Sequence, residues 1–185
     1  MNRIGGKGIF VSEFEQALLE DRIDLAVHSA KDLPMSLAEG LVIAAVLPRG
    51  DVRDVLVVPK GAGLPFFLQD PGGAGTSAGG RSGGKPGNAP FIIGTGSIRR
   101  QTQAARLWDS VVCENIRGNV DSRLRKLEEG GYDGIILAKA GLDRLGGGQE
   151  WEERFDFYPL HPEAFLPAAC QGIIAVEARG NSPLA

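Results

Sequence analysis

The segment His28-Ser29-Ala30-Lys31-Asp32 follows the apolar run Ile23 to Val27 without a break. A cation and a carboxylate at the end of a buried strand can hold a turn, with Asp32 paired to Lys31. They can also form the polar end of an active site, where a carboxylate accepts hydrogen bonds and stabilises positive charge as it develops. Spacing alone leaves both readings open. A second cluster, Gly94-Thr95-Gly96-Ser97-Ile98-Arg99-Arg100, follows another apolar run. Its glycines allow a tight turn, the amides of Ser97 and Ile98 open a helix whose dipole favours an anion, and two arginines offer planar forks for carboxylates. The alternative is a turn with two solvated arginines. The third glycine of a dinucleotide fingerprint is replaced by Arg99, and the Lys-Ser/Thr of a P-loop is missing. Arg117-Gly118-Asn119 and Arg123 form a third cluster. There the competing reading is one surface arginine and one paired with Asp121 or Glu128. Lys139 opens a fourth, and Lys7 lies in a glycine loop near the start.

The clusters carry more together than singly. The chain is acidic, with 20 Lys and Arg against 23 Asp and Glu and a net charge of -3. It nevertheless places Lys7, Lys31, Arg99, Arg100, Arg117 and Arg123 at loops expected to converge. A cationic cleft in an acidic protein suits a small polyanion. Nucleic acid or a membrane surface as partner would call for a basic chain. Two histidines and two cysteines, Cys113 and Cys170, without CxxC or His-Cys spacing, argue against a metal centre or a disulfide framework. No metal ligand set is expected, and no apolar run reaches the roughly 20 residues of a membrane span.

The elements that must position these residues alternate in type. Ser12 and Glu15 read as a capping box opening a helix over 12–20. The runs at 24–28, 41–48 and 54–59 read as strands that are apolar on both faces, as in a sheet covered on both sides. Residues 60–90, rich in Gly, Pro, Ser and Ala, read as a mobile insertion. Strands at 91–94, 111–116 and 134–138 then alternate with helices at 97–108, 119–130 and 139–146. In the first of these helices Ile98, Ala105 and Trp108 lie near one apolar face. In the second, Asn119 is the N-cap and Gly130 or Gly131 the stop. A last strand covers 173–177. The order implies an α/β fold with a parallel, doubly wound sheet, whose ligands bind beyond the C-terminal ends of the strands.

Four stretches, "GGKGIFVSEFEQALLEDRIDLAVHSAKDLP", "IGTGSIRRQTQ", "IRGNVDSRLRKLEEGGYDGIILAKAGLDRLG" and "LPAACQGIIAVEAR", occur in this order. They resemble the porphobilinogen deaminase (hydroxymethylbilane synthase) family. The resemblance implies a transferase of tetrapyrrole (porphyrin, heme, chlorophyll) biosynthesis. Four porphobilinogen molecules are condensed head to tail, ammonia leaves at each step, and a dipyrromethane cofactor anchors the growing chain. It implies two domains like those of periplasmic binding proteins, then a third. Residues 1–58 with 166–185 are expected to form domain 1, 59–89 a glycine-rich flexible insertion, and 90–165 domain 2. Asp32 matches the catalytic aspartate, which stabilises the cationic azafulvene. Lys31, Arg99, Arg100, Arg117 and Arg123 match the residues holding acetate and propionate groups, with Ser29 and Gly118 beside them. Lys7 matches a loop lysine; Thr95, Gly96 and Ser97 match a loop touching cofactor and substrate. Gln171, in the segment returning to domain 1, is also expected to contact substrate or cofactor.

The resemblance also sets expectations about what is absent. The family's opening strand and third domain are expected to lie outside this chain, which leaves domain 1 incomplete. The cysteine that binds the cofactor belongs to that third domain and is replaced by neither Cys113 nor Cys170. The expected partner is porphobilinogen, with no nucleic acid and no membrane. The expected state is a monomer in the cytoplasm, or in the plastid stroma of a photosynthetic eukaryote. A non-catalytic anion-binding module of the periplasmic-binding type is the competing reading.

Overall fold

The computed structural model describes residues 9–63, 65, 68, 89–146 and 148–183. Lys7 and most of the glycine-rich stretch expected to be mobile lie outside them. The chain divides into two units: unit 1 is Met1–Val52 with Ala168–Ala185, and unit 2 is Arg53–Pro167.

Unit 1 has a three-stranded sheet in the order β1 (Leu25–Ser29), β8 (Ile174–Arg179), β2 (Leu41–Val46), with β8 antiparallel to both neighbours. Helix α1 (Ile9–Leu19) covers one face through Leu18, which meets Ala26 and Leu41 in a small core. The helix starts earlier than Ser12, so Ser12 lies inside it and no capping box forms. Glu15 instead accepts the Ala38 amide on Oε1 at 3.2 Å. Among the described residues the expected two-sided cover of this sheet does not appear. Along β1, residues alternate between exposed and buried, and Leu25, Val27 and Val46 stand open among the described residues.

Unit 2 has a five-stranded sheet in the order β5 (Val111–Glu114), β4 (Phe91–Gly94), β6 (Gly134–Ala138), β3 (Asp54–Pro59), β7 (Phe155–Pro159). Strand β4 runs parallel to β5 and β6, whereas β3 is antiparallel to β6 and β7. The sheet is therefore mixed rather than wholly parallel. Two expectations are corrected here. Strand β3 belongs with unit 2 and not with the first domain, because its pairing partners are β6 and β7. Helix α5 (Gly148–Arg154) and β7 were missed, their run being short and broken by charge.

Successive residues of a strand face opposite sides, and unit 2 has a core on each. Val55, Val57, Ile135 and Leu137 meet Leu124 and Leu127 of α3 (Val120–Glu128) and Leu142 of α4 (Lys139–Leu145). Leu56, Val58, Ile93 and Ile136 meet Ala104 of α2 (Ile98–Leu107), together with Trp108 and Phe165. The buried face of α2 is Arg100 and Ala104, continued by the buried Trp108 at its C-cap. Ile98 and Ala105, expected on an apolar stripe, are exposed because a paired arginine takes the inward position.

Candidate functional site

Unit 1 carries the candidate carboxylate. Asp32 closes a single 3-10 turn, Ala30–Asp32, that begins directly after β1. The turn is anchored where the Ala30 amide donates to the Ile173 carbonyl at 3.0 Å. Asp32 is exposed and faces an open cavity of about 410 Å³, lined also by Ser12, Glu15, Pro34, Ser36 and Leu37. Ser29 is exposed at the strand end and Lys31 half-buried on the turn.

Beneath this turn sits a buried pair that the sequence did not reveal. His28 Nε2 lies 2.8 Å from Glu177 Oε2, a diagonal pair across β1 and β8, where His28 is opposite Ala175 and Glu177 opposite Ala26. The Phe14 ring meets the His28 ring edge-on, with centroids 5.8 Å apart. Glu177 Oε1 has no hydrogen-bond partner among the described residues. Burial raises the Glu177 carboxyl above its ordinary value; His28 pulls it down and the nearby Glu15 adds to the rise. A charged residue inside "IIAVEAR" was the available hint.

Gln171 is fully buried in unit 1. Its Nε2 donates to the Val52 carbonyl at 2.8 Å, and its own carbonyl accepts Arg49 Nε at 2.9 Å. It holds backbone in place and presents no surface to a ligand. Cys170 is an exposed free thiol and Cys113 a half-buried one in β5, where burial raises the thiol's pKa.

Unit 2 carries the arginines. The loop after β4 is tied inward. The Thr95 amide donates to the Glu114 carbonyl at 2.8 Å, Thr95 Oγ1 accepts the Ser97 amide, and the Thr95 carbonyl accepts Gln101 Nε2. A side chain at Gly96 would come within 3.0 Å of Asn115 Oδ1, and one at Gly94 within 2.9 Å of the Tyr132 ring. The glycines thus serve close packing as well as a turn. Ser97 occupies the N-cap position of α2 without a side-chain capping bond.

Asp54, wholly buried, gathers both arginines. Its Oδ2 accepts Arg99 Nη2 at 2.7 Å, and its Oδ1 accepts Arg100 Nη2 at 2.7 Å and Nε at 3.2 Å. Arg100 Nη1 donates to the Ile136 carbonyl at 2.7 Å, which completes its burial. Arg100 is therefore built into the core, while Arg99 remains about a quarter exposed. A charged residue opening "DVLVVP" was the one visible trace of Asp54's role.

Nearby, Asn119 caps α3 as expected, accepting the Ser122 amide at 2.9 Å. Gly118 takes a left-handed φ of 123°, and its carbonyl accepts Arg123 Nε at 2.8 Å. Lys126 Nζ donates to the Arg117 carbonyl, while the Arg117 side chain is exposed. Glu128, offered as a partner for Arg123, pairs instead with Arg154. Burial, then the positive Arg100, push the Arg123 guanidinium below its ordinary pKa. Unit 2 thus sets two guanidinium groups on the buried Asp54, with Arg123 close enough to Arg100 to feel its charge. That local excess of positive charge favours an anion.

These features define a mixed α/β protein with a carboxylate turn on one unit and a cation-rich strand-end loop on the other. The family model "Porphobilinogen deaminase, dipyromethane cofactor binding domain" matches residues 1–184. Curated porphobilinogen deaminases resemble the chain closely. That of Syntrophobacter fumaroxidans is 45% identical over 96% of this chain and 49% of its own length. That of Exiguobacterium sibiricum is 41% identical over 98% and 51%. A chloroplastic one from Euglena gracilis is 42% identical over 98% and 34%. The chain belongs to the porphobilinogen deaminase family, and spans about half the length of the first two relatives. Among solved structures, an amino acid ABC transporter substrate-binding protein from Streptococcus pneumoniae aligns over 98% of this chain and 64% of its own. Its identity is 12% and its TM-score 0.46.

Proposed function

We propose that this chain takes part in the condensation of porphobilinogen to hydroxymethylbilane, with Asp32 as the catalytic carboxylate. The observation that carries this reading is the cluster around Asp54, where Arg99 and Arg100 share one buried carboxylate and Arg123 feels the charge of Arg100, which fits a substrate bearing acetate and propionate groups. Arg99 and Arg123 supply the charge, with Arg117, Lys31 and Lys7 as further candidates from the sequence. Arg100 acts indirectly, since its donors are engaged by Asp54 and Ile136.

The reaction breaks the aminomethyl C–N bond of one pyrrole, with ammonia carrying off the proton that makes it a leaving group. The ring nitrogen's electrons fill the vacancy, so positive charge spreads over the pyrrole. The free α-carbon of the neighbouring pyrrole then attacks the methylene carbon and loses its own proton. An exposed carboxylate on a short anchored turn can accept the pyrrole N–H and stabilise that charge as it forms. The same cationic cluster fits a dipyrromethane with its own carboxylates, held by Arg99, Arg123 and the Thr95–Ser97 loop. When bound, that cofactor supplies the primer to which substrate units are added. A monomer in the cytoplasm or plastid stroma, acting on a small molecule, completes the proposal.

The test is Asp32→Ala, assayed for ammonia release from porphobilinogen and for porphobilinogen binding by equilibrium dialysis. Turnover should fall by at least about a hundredfold, with binding held within a few-fold. Unchanged turnover would remove Asp32 from catalysis. A wild-type chain that binds the pyrrole carboxylates without ever releasing ammonia would favour the anion-binding module.

A further inference from the structure

Both chain ends of unit 2 are fastened to the first turns of one helix. Asp54, the second residue of the unit, holds Arg99 and Arg100 of α2. Leu166, the last but one, is held by three hydrogen bonds from two side chains. Its carbonyl accepts Arg99 Nη1 and Gln103 Nε2, and its amide donates to Gln103 Oε1 at 2.6 Å. Arg99 is thus the single side chain that the described bonds join to both ends. It is also the more exposed of the paired arginines, and its helix starts directly after the Thr95–Ser97 loop.

We infer that Arg99 is an anion-operated latch: free of ligand it ties Leu166 to α2, and a carboxylate ligand draws it off, loosening the chain's exit from unit 2. The inference rests on the proposed binding of substrate carboxylates at α2. The two acceptors on Arg99 are unequal. Asp54 is an anion, shared with the buried Arg100, and its bond stays. The Leu166 carbonyl is neutral, and a charged acceptor outbids a neutral one for a guanidinium. Arg100, with bonds to Asp54 and Ile136, keeps the pivot in place. The Leu166 side chain is exposed, so little apolar contact opposes release at that residue, whereas Phe165 before it is buried and stacked on Trp108. Loosening is thereby confined to the exit and does not spread into the core.

Linkage gives the latch a second consequence. If release is part of binding, the closed latch lowers apparent affinity, and weakening it elsewhere must raise affinity. Gln103 fastens Leu166 without belonging to the ligand site, so Gln103→Ala isolates this effect.

The experiment is hydrogen exchange by mass spectrometry over residues 161–169 of the whole chain, with and without porphobilinogen, alongside its dissociation constant by equilibrium dialysis. In the wild type the ligand should speed exchange in this segment by about tenfold. Gln103→Ala should exchange fast without ligand and bind porphobilinogen about two- to fivefold more tightly. Arg99→Gln should exchange fast without ligand and show no further response. Binding with exchange unchanged or slowed, or a Gln103→Ala affinity that is unchanged or weaker, overturns the latch and leaves the functional reading standing. No binding at all overturns that reading and the latch with it.

Discussion

The two units treat similar apolar strands differently. In unit 2, β3 is buried along Asp54–Val58 and its residues alternate between two cores. In unit 1, β1 buries Ala26 and His28 but leaves Leu25 and Val27 open. The strands "LAVHS" and "DVLVVP" are alike in apolar content, and cover decides the difference: unit 2 has helices on both faces, while α1 covers one face of unit 1 among the described residues. The buried carboxylates differ in the same sense. Asp54 is saturated by two guanidinium groups, whereas Glu177 has one imidazole and an oxygen with no described partner.

The largest test of this contrast removes the saturated charge. Asp54→Asn leaves Arg100 buried beside a neutral amide and should cost about 3–5 kcal/mol of unfolding free energy, read from urea denaturation. A cost below about 1 kcal/mol would mean the triad is not the anchor of unit 2. Next comes Gly172→Ala in unit 1. Gly172 has a φ of 89°, and an added Cβ would meet the Gly50 carbonyl oxygen at 2.6 Å. Left-handed strain alone should cost about 1–3 kcal/mol, and the backbone clash adds to it.

Glu177 gives a smaller effect with a definite sign. Its folded pKa is raised by burial, so the folded state holds this proton more tightly than the unfolded chain does. The contribution is fully present below the ordinary carboxylate pKa and is lost as pH rises through the folded value. Stability measured against pH should therefore decline across that interval, and Glu177→Gln should flatten the decline. An identical slope in the variant would show that another group titrates there. The smallest effect is expected at Val27→Thr, on the open face of β1. It should shift unfolding by no more than about 0.5 kcal/mol, against about 2–5 kcal/mol for Leu56→Ala in the covered sheet.

Local signals made much of the fold legible. Alternation of apolar runs with capped helical segments located β4, β6, α3 and α4, because those elements carry their own period, an Asn119 cap and glycine stops. The strand-end clusters came from the same rule. Asp32 sits on an anchored turn at the end of β1, as its position after an apolar run suggested. Apart from the short α5 and β7 and the start of α1, the misses are non-local. The parallel sheet became mixed because β3 pairs with β6 and β7, and no short-range pattern encodes strand direction. Arg100 read as an available anion binder because the partner that takes it into the core lies 46 residues away.

By itself, then, the sequence determined which residues are charged, where strands end and helices begin, and which family the chain resembles, since these depend on composition and on spacing over a few residues. Tertiary structure alone decided which arginine is built in and which stays available, that Asp54 and Glu177 are buried carboxylates, and which sheet is covered on both faces. Those outcomes turn on contacts between distant segments, where burial makes an unpaired charge costly and so forces partners that no local pattern names.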